Sequence, residues 1–219
     1  MPVRTPLFAL ALAVVASAQA QTGAVVGTVA LQSGNRAEQP PRYYRGPYRA
    51  SHADEPAPLP VQSVVVYVES VPAPEGGWGS AAPVAMHQSH DRFVPHVLPI
   101  LAGTTVTFPN DDDYYHNVFS VVAGDRFDLG RYGQGDAREQ TFPAPAVVVV
   151  RCEIHPGMKA YILVRDNPCF AVPGPDGRFR LPQVPVGTWS LVAWHPTQGE
   201  TRRTVVVRAG QDAVADFSF

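Results

Sequence analysis

The stretch "AVVVVRCEIHPGMKAYILV" (Ala146 to Val164) sets two apolar runs on either side of a short loop. Both runs are strand-like in composition, and Pro156-Gly157 punctuates the segment between them. The loop carries Cys152, His155 and Met158 in the pattern Cys-x-x-His-x-x-Met. A tight connection between adjacent strands can point all three side chains at one centre, so the stretch predicts a β fold built around a metal site. A thiolate with two imidazoles and a weak axial thioether is the donor set of a trigonal blue-copper site. The thiolate supplies covalency, the imidazoles satisfy both copper oxidation states, and the thioether tunes the potential. Taken singly, a Met beside a strand is ordinary core and a His in a loop is ordinary surface. Their conjunction in one loop carries the reading.

The second imidazole comes from "PNDDDYYHNVFS" (Pro109 to Ser120), where His116 opens an apolar run. Around these two stretches lie "RFVPHVLPILAGTTVTFPN", "RFDLGRY" and "EQTFPAPAVVVVRC", short β runs spaced as in a sandwich or barrel. Further out, "AVVGTVAL" (Ala24 to Leu31) and "SVVVYVES" (Ser63 to Ser70) alternate as strands do. Residues 32–60 between them are rich in Pro, Arg and Tyr without apolar period and read as a surface loop. After Asp166, Asp176-Gly177 marks a tight turn followed by strands at Arg178 to Leu181, Thr188 to Trp194 and Thr204 to Arg208. No segment has helical periodicity. With 18 Gly and 23 Pro, the composition is that of short strands joined by turns.

Residues 1–20, "MPVRTPLFALALAVVASAQA", have a basic start, an apolar run too short to span a bilayer and a small-x-small end. They read as a secretory signal peptide, which places the mature chain in the periplasm or outside the cell. No later run is long and apolar enough for a membrane helix, so stable membrane insertion is not expected. A net charge of −2 supplies no basic field for nucleic acid. In an exported chain, Cys152 and Cys169 also admit a disulfide, the alternative to a metal-bound Cys152.

From about Pro83 to Arg165 the chain resembles the cupredoxins, and the "CEIHPGM" loop looks most like that of their amicyanin branch, with plastocyanin-like character overall. The resemblance implies His116, Cys152 and His155 as equatorial ligands of one copper ion, cycling between Cu(I) and Cu(II), and Met158 as the axial one. It also implies that Asn117 ties the two ligand loops together, with its backbone N–H near the thiolate. "GAVVGTVALQSG" with "SVVVYVE", and "DGRFRLPQVPVGTWSLVAW" with "RTVVVRAGQDAVADFSF", resemble the two parts of a carboxypeptidase regulatory-like domain, a small transthyretin-like β-sandwich. The joint arrangement is similar to exported methylamine-utilisation-type proteins. The expected fold is therefore all-β, a cupredoxin Greek-key β-sandwich inserted in or fused to the second sandwich. Its parts would be residues 21–72, the cupredoxin domain at 79–165, and 166–219.

These features imply an exported one-electron carrier whose exit is His155, its outer edge framed by Pro156 and Gly157. The partner class is a redox protein such as a c-type cytochrome. A copper-binding or delivery protein and a metal-free structural module with a Cys152–Cys169 disulfide are the alternatives. An enzyme is not expected, since His-x-His pairs and a second Cys inside the ligand loop are both missing. His87, His90 and His96, with Met86, read as a solvated edge segment or a looser copper-loading site. His195 reads as structural and His52 as part of the surface loop. Asp111, Asp112 and Asp113 read either as a polar turn or as an acidic rim that steers a basic partner.

Overall fold

The computed structural model describes residues 21–32, 59–79, 82–121 and 126–219. The expected signal peptide, His52 and nearly all of the expected 32–60 loop lie outside them. The described chain is all-β, with one 3-10 turn at Val61–Ser63 and no α-helix. No helix among these residues is long and apolar enough to cross a membrane.

Two strands come first, β1 (Thr22–Ala30) and β2 (Val65–Val68). The middle of the chain forms β3 (Val84–Ala85), β4 (His87–Gln88), β5 (Phe93–Val94), β6 (Val97–Leu101), β7 (Thr104–Pro109) and β8 (His116–Ser120). It continues through β9 (Phe127–Tyr132), β10 (Ala137–Phe142), β11 (Ala146–Arg151) and β12 (Lys159–Arg165). The last segment adds β13 (Phe170–Ala171), β14 (Arg178–Pro185), β15 (Gly187–His195), β16 (Gly199–Val207), β17 (Asp212–Val214) and β18 (Phe217–Ser218).

The middle strands pair among themselves, as a five-stranded sheet in the order β6-β12-β11-β8-β9, a three-stranded sheet β10-β7-β3, and the small hairpin β4-β5. The early and late strands pair with one another, in the sheets β13-β2-β15-β16 and β14-β1-β17, with β18 also on β1. Alternation explains the first core. Thr104, Val106 and Phe108 of β7 point inward between intermediate residues, and Val106 and Phe108 meet Val118, Val148, Val150, Ile162 and Val164 of the opposite sheet. A second core, between the two flanking sheets, contains Val25, Val66, Val68, Leu181, Leu191, Ala193 and Val207.

β12 does not alternate, because its five central residues are all buried. Ala160, Ile162 and Val164 face the first core, while Tyr161 and Leu163 face outward onto Val65, Tyr67, Val192 and Trp194 of the neighbouring sheet. The four sheets are therefore stacked with three apolar layers between them. A strand with both faces covered reads as a continuous apolar run. Burying each such side chain contributes about 1.5–3 kcal/mol.

β1 runs against backbone so closely that only glycine fits at two places. A Cβ on Gly27 would lie 1.8 Å from the carbonyl oxygen of Ala215, and one on Gly23 would lie 2.4 Å from that of Arg208. The turn at Asp176-Gly177 forms as expected, with Gly177 at φ +78° and the Arg178 N–H donating to the Asp176 carboxylate at 3.1 Å.

Candidate metal centre

Strand register brings the candidate ligands together. β11 and β12 pair from Ala146↔Val164 to Arg151↔Lys159, so the loop they close begins at Cys152. Inside it, the Met158 N–H donates to the His155 carbonyl at 2.9 Å and the Cys152 N–H to the Met158 carbonyl at 3.3 Å. β8 joins the same sheet through Arg151↔Phe119, which sets His116 and Asn117 beside the loop.

The Cys152 Sγ lies 3.8 Å from Nδ1 of His116 and 3.8 Å from Nδ1 of His155. The two Nδ1 atoms are 3.0 Å apart. Three metal bonds of about 2.0–2.3 Å at trigonal angles would separate sulfur from nitrogen by about 3.8 Å and the two nitrogens by about 3.5 Å, so the sulfur–nitrogen spacings match such a site and the two imidazoles stand closer together than it requires. Cys152 and His116 are buried and Met158 is 1% exposed in the same apolar core. The His155 side chain is 31% exposed.

Asn117 links the two ligand segments. Its N–H donates to the Cys152 Sγ at 3.5 Å, and its Oδ1 accepts the Glu153 N–H at 3.2 Å. Its Nδ2 donates to Asp128 of β9 at 2.7 Å. Arg131, next to it across the sheet, pairs with Glu153 at 2.6 Å.

The Asp run is not a uniform rim. Asp111 is exposed and pairs with Nδ1 of His87 at 2.8 Å, and Asp113 is exposed. Asp112 is buried. Its carboxylate accepts from Nε2 of His116 at 2.9 Å, from the His90 N–H at 2.7 Å and from the Asp91 N–H at 3.2 Å. Partial desolvation works against that charge, but the bonds from His116 and the two amides prevail and hold its carboxyl below the usual range. Asn110 sets up the turn by accepting the Asp112 N–H at 3.0 Å and donating to the Tyr114 and Tyr132 carbonyls.

Sequence reasoning also missed Tyr114. Its ring stands edge-on to both imidazoles, with centroids 5.1 Å from His116 and 5.5 Å from His155. The hydroxyl donates to Asp91 at 3.0 Å. Desolvation, that bond and the nearby Asp charges push the hydroxyl up to about 12.

The looser copper-loading site is not assembled. Met86 is fully buried in the core while His87 beside it is exposed. His96 is turned away against Tyr161, ring centroids 5.7 Å apart. Among the described residues, the groups of three or more His, Cys, Asp or Glu able to hold an ion are His116–Cys152–His155 and Asp91–Asp112–His116, which share one imidazole. Cys152 and Cys169 are both unbridged. They sit in different cores, and burial pushes the Cys169 thiol up to about 11.

No family model matches the chain, and no curated protein matches it. Among solved structures it is similar to a Cu-containing nitrite reductase from Thermus scotoductus, with 30% identity over 45% of this chain and 25% of that one and a TM-score of 0.37. It is also similar to a purple cupredoxin from Nitrosopumilus maritimus, 26% identical over 37% of this chain and 99% of that one, TM-score 0.34. A mutant of amicyanin in its reduced state shows 20% identity over 46% and 98% of the two chains, TM-score 0.37. The overlap spans a quarter of the nitrite reductase's length. Overlaps this partial leave the chemistry of the site to its own geometry.

Proposed function

We propose that the chain is an exported mononuclear type 1 copper protein that carries single electrons and is not an enzyme. The observation that supports this most strongly is the convergence of the Cys152 Sγ and the Nδ1 atoms of His116 and His155 on one point, buried on the His116 and Cys152 side. Copper held there would supply a one-electron couple between Cu(I) and Cu(II). In this reading His116, Cys152 and His155 would hold the ion and Met158 would supply a further, weaker donor. Thioether beside thiolate and imidazole favours copper over the harder cations.

The residues around these ligands restrict their movement. Asn117 fixes the thiolate loop, Asp112 fixes the ring orientation of His116, and the surrounding sheets bury both. Donors held in this way change little between oxidation states, which suits electron transfer better than storage. Residues 1–20 are read as the export signal, the flanking strands as a carboxypeptidase regulatory-like sandwich that backs the copper module, and a c-type cytochrome as the partner class.

The test is the visible absorption and electron paramagnetic resonance of mature protein loaded with Cu(II), beside Cys152→Ser. An intense thiolate-to-copper band with narrow hyperfine splitting, absent from the variant, is the expected result. A colourless wild type that gives up its copper readily to a chelator would point instead to delivery.

A further inference from the structure

The outer edge of His155 meets groups from two other segments of the chain. Its Nε2 lies 3.8 Å from the Asp91 carboxylate, and the Tyr114 ring stands across both His155 and His116. Tyr114 and His155 are partly exposed, at 39% and 31%, whereas His116 and the thiol of Cys152 are buried behind them.

This cover is anchored at the metal centre itself. Asp91 occupies the tip of the β4-β5 hairpin, where Ser89 and Arg92 exchange backbone hydrogen bonds at 2.9 and 3.2 Å. The two residues at the tip, His90 and Asp91, have φ of +55° and +56°. That is the conformation of a two-residue hairpin turn usually given to Asn-Gly, uncommon for residues other than glycine although Asn, Asp and His tolerate it best. Asp112 stabilises it here by accepting both tip amides while also accepting from Nε2 of His116. One carboxylate therefore fixes both a ligand ring and the turn that presents Asp91, and Asp91 in turn accepts the Tyr114 hydroxyl.

We propose that Tyr114, pinned by Asp91, caps the Cys152–His116–His155 cluster and closes its imidazole side to small molecules. The proposal rests on the copper reading for its purpose: a closed imidazole side keeps the centre to electron transfer and denies external ligands a position. Tyr114 acts through the two rings, and so is a positioning residue.

The test begins with metal-free protein. Iodoacetamide labelling is followed by mass spectrometry at both thiols in wild type, Tyr114→Ala and Tyr114→Phe. Cys169 lies in the other core and reports global opening. Tyr114→Ala is expected to speed labelling of Cys152 by about fivefold, the scale of losing an aromatic pair, with Cys169 unchanged. Tyr114→Phe, which keeps the ring and loses the hydroxyl bond, is expected to give a smaller acceleration confined to Cys152. Equal Cys152 rates in all three proteins would overturn the cap, as would acceleration of both thiols together in Tyr114→Phe.

Azide added to the Cu(II)-loaded proteins separates the two readings. A blue spectrum altered by azide in Tyr114→Ala and not in wild type supports the cap. A blue spectrum indifferent to azide in both overturns it and leaves the copper reading standing. If no thiolate-to-copper band forms in any of them, the copper reading fails and the labelling rates alone decide the cap.

Discussion

Asp112 illustrates what one residue can do that its neighbours in the same run cannot. Asp111 and Asp113 face solvent, whereas Asp112 accepts the Nε2 proton of His116 and makes that imidazole a stronger donor through its other nitrogen. A stronger donor favours Cu(II) over Cu(I). Asp112→Asn is therefore expected to raise the reduction potential measured by voltammetry. It is also expected to weaken copper binding by about 10- to 100-fold in a chelator competition, the usual cost of losing such a partner. At this scale Cys152, His155 and Met158 were legible because their spacing is local and their chemistry is rare. Asp112 was not, since nothing in "DDD" tells which carboxylate turns inward; Asn110 decides that through the Asp112 amide. Tyr114 was hidden for a different reason, because its partner Asp91 arrives from a separate hairpin.

Alternation along strands gave most of the elements and also corrects one reading. In β4 and its approach, Met86 points in, His87 out and Gln88 in, so Met86 joins the core and is withdrawn from the histidines beside it. For β12 the apolar run was plain, but its cause was not. Tyr161 and Leu163 are covered by a second sheet contributed from distant parts of the chain. Leu163→Ala is expected to cost about 2–5 kcal/mol in urea unfolding, as for a core leucine, although it lies outside the core of the sandwich formed by the middle strands. β1 makes the opposite demand. Gly27→Ala has to push its new methyl group against the Ala215 carbonyl, which cannot swing aside as a side chain would. The expected loss is about 3 kcal/mol or more, read from the same unfolding midpoint.

At the scale of the whole molecule, two buried or half-buried histidines, His195 and His96, carry a pH dependence. His195 is 1% exposed. Its Nδ1 accepts from the Thr197 and Gln198 amides at 3.3 and 3.2 Å, which leaves the proton on a buried Nε2 without a protein partner. Burial, then the nearby His96, lowers its pKa, and burial followed by Lys159 lowers that of His96. The unfolded chain takes up these protons near pH 6.5, and the folded chain only at lower pH. Stability from these groups is thus complete above about pH 6.5 and declines as pH falls through it. Urea midpoints measured from pH 7.5 to 5 should show that decline, and His195→Gln should flatten it. The sequence offered His195 as structural without showing why, because the surface that buries it is assembled from segments far apart in the chain. The pairing of β1 with β14, β17 and β18 has its own consequence during synthesis. The strands from Val84 to Arg165 pair only with one another, so they can close as soon as they are made. β1 has to wait for residues 178–218, roughly 10–40 s at ordinary ribosome speeds. Throughout that wait Val25 and Val29 have no partners, and this strand is the segment on which chaperones have most to protect.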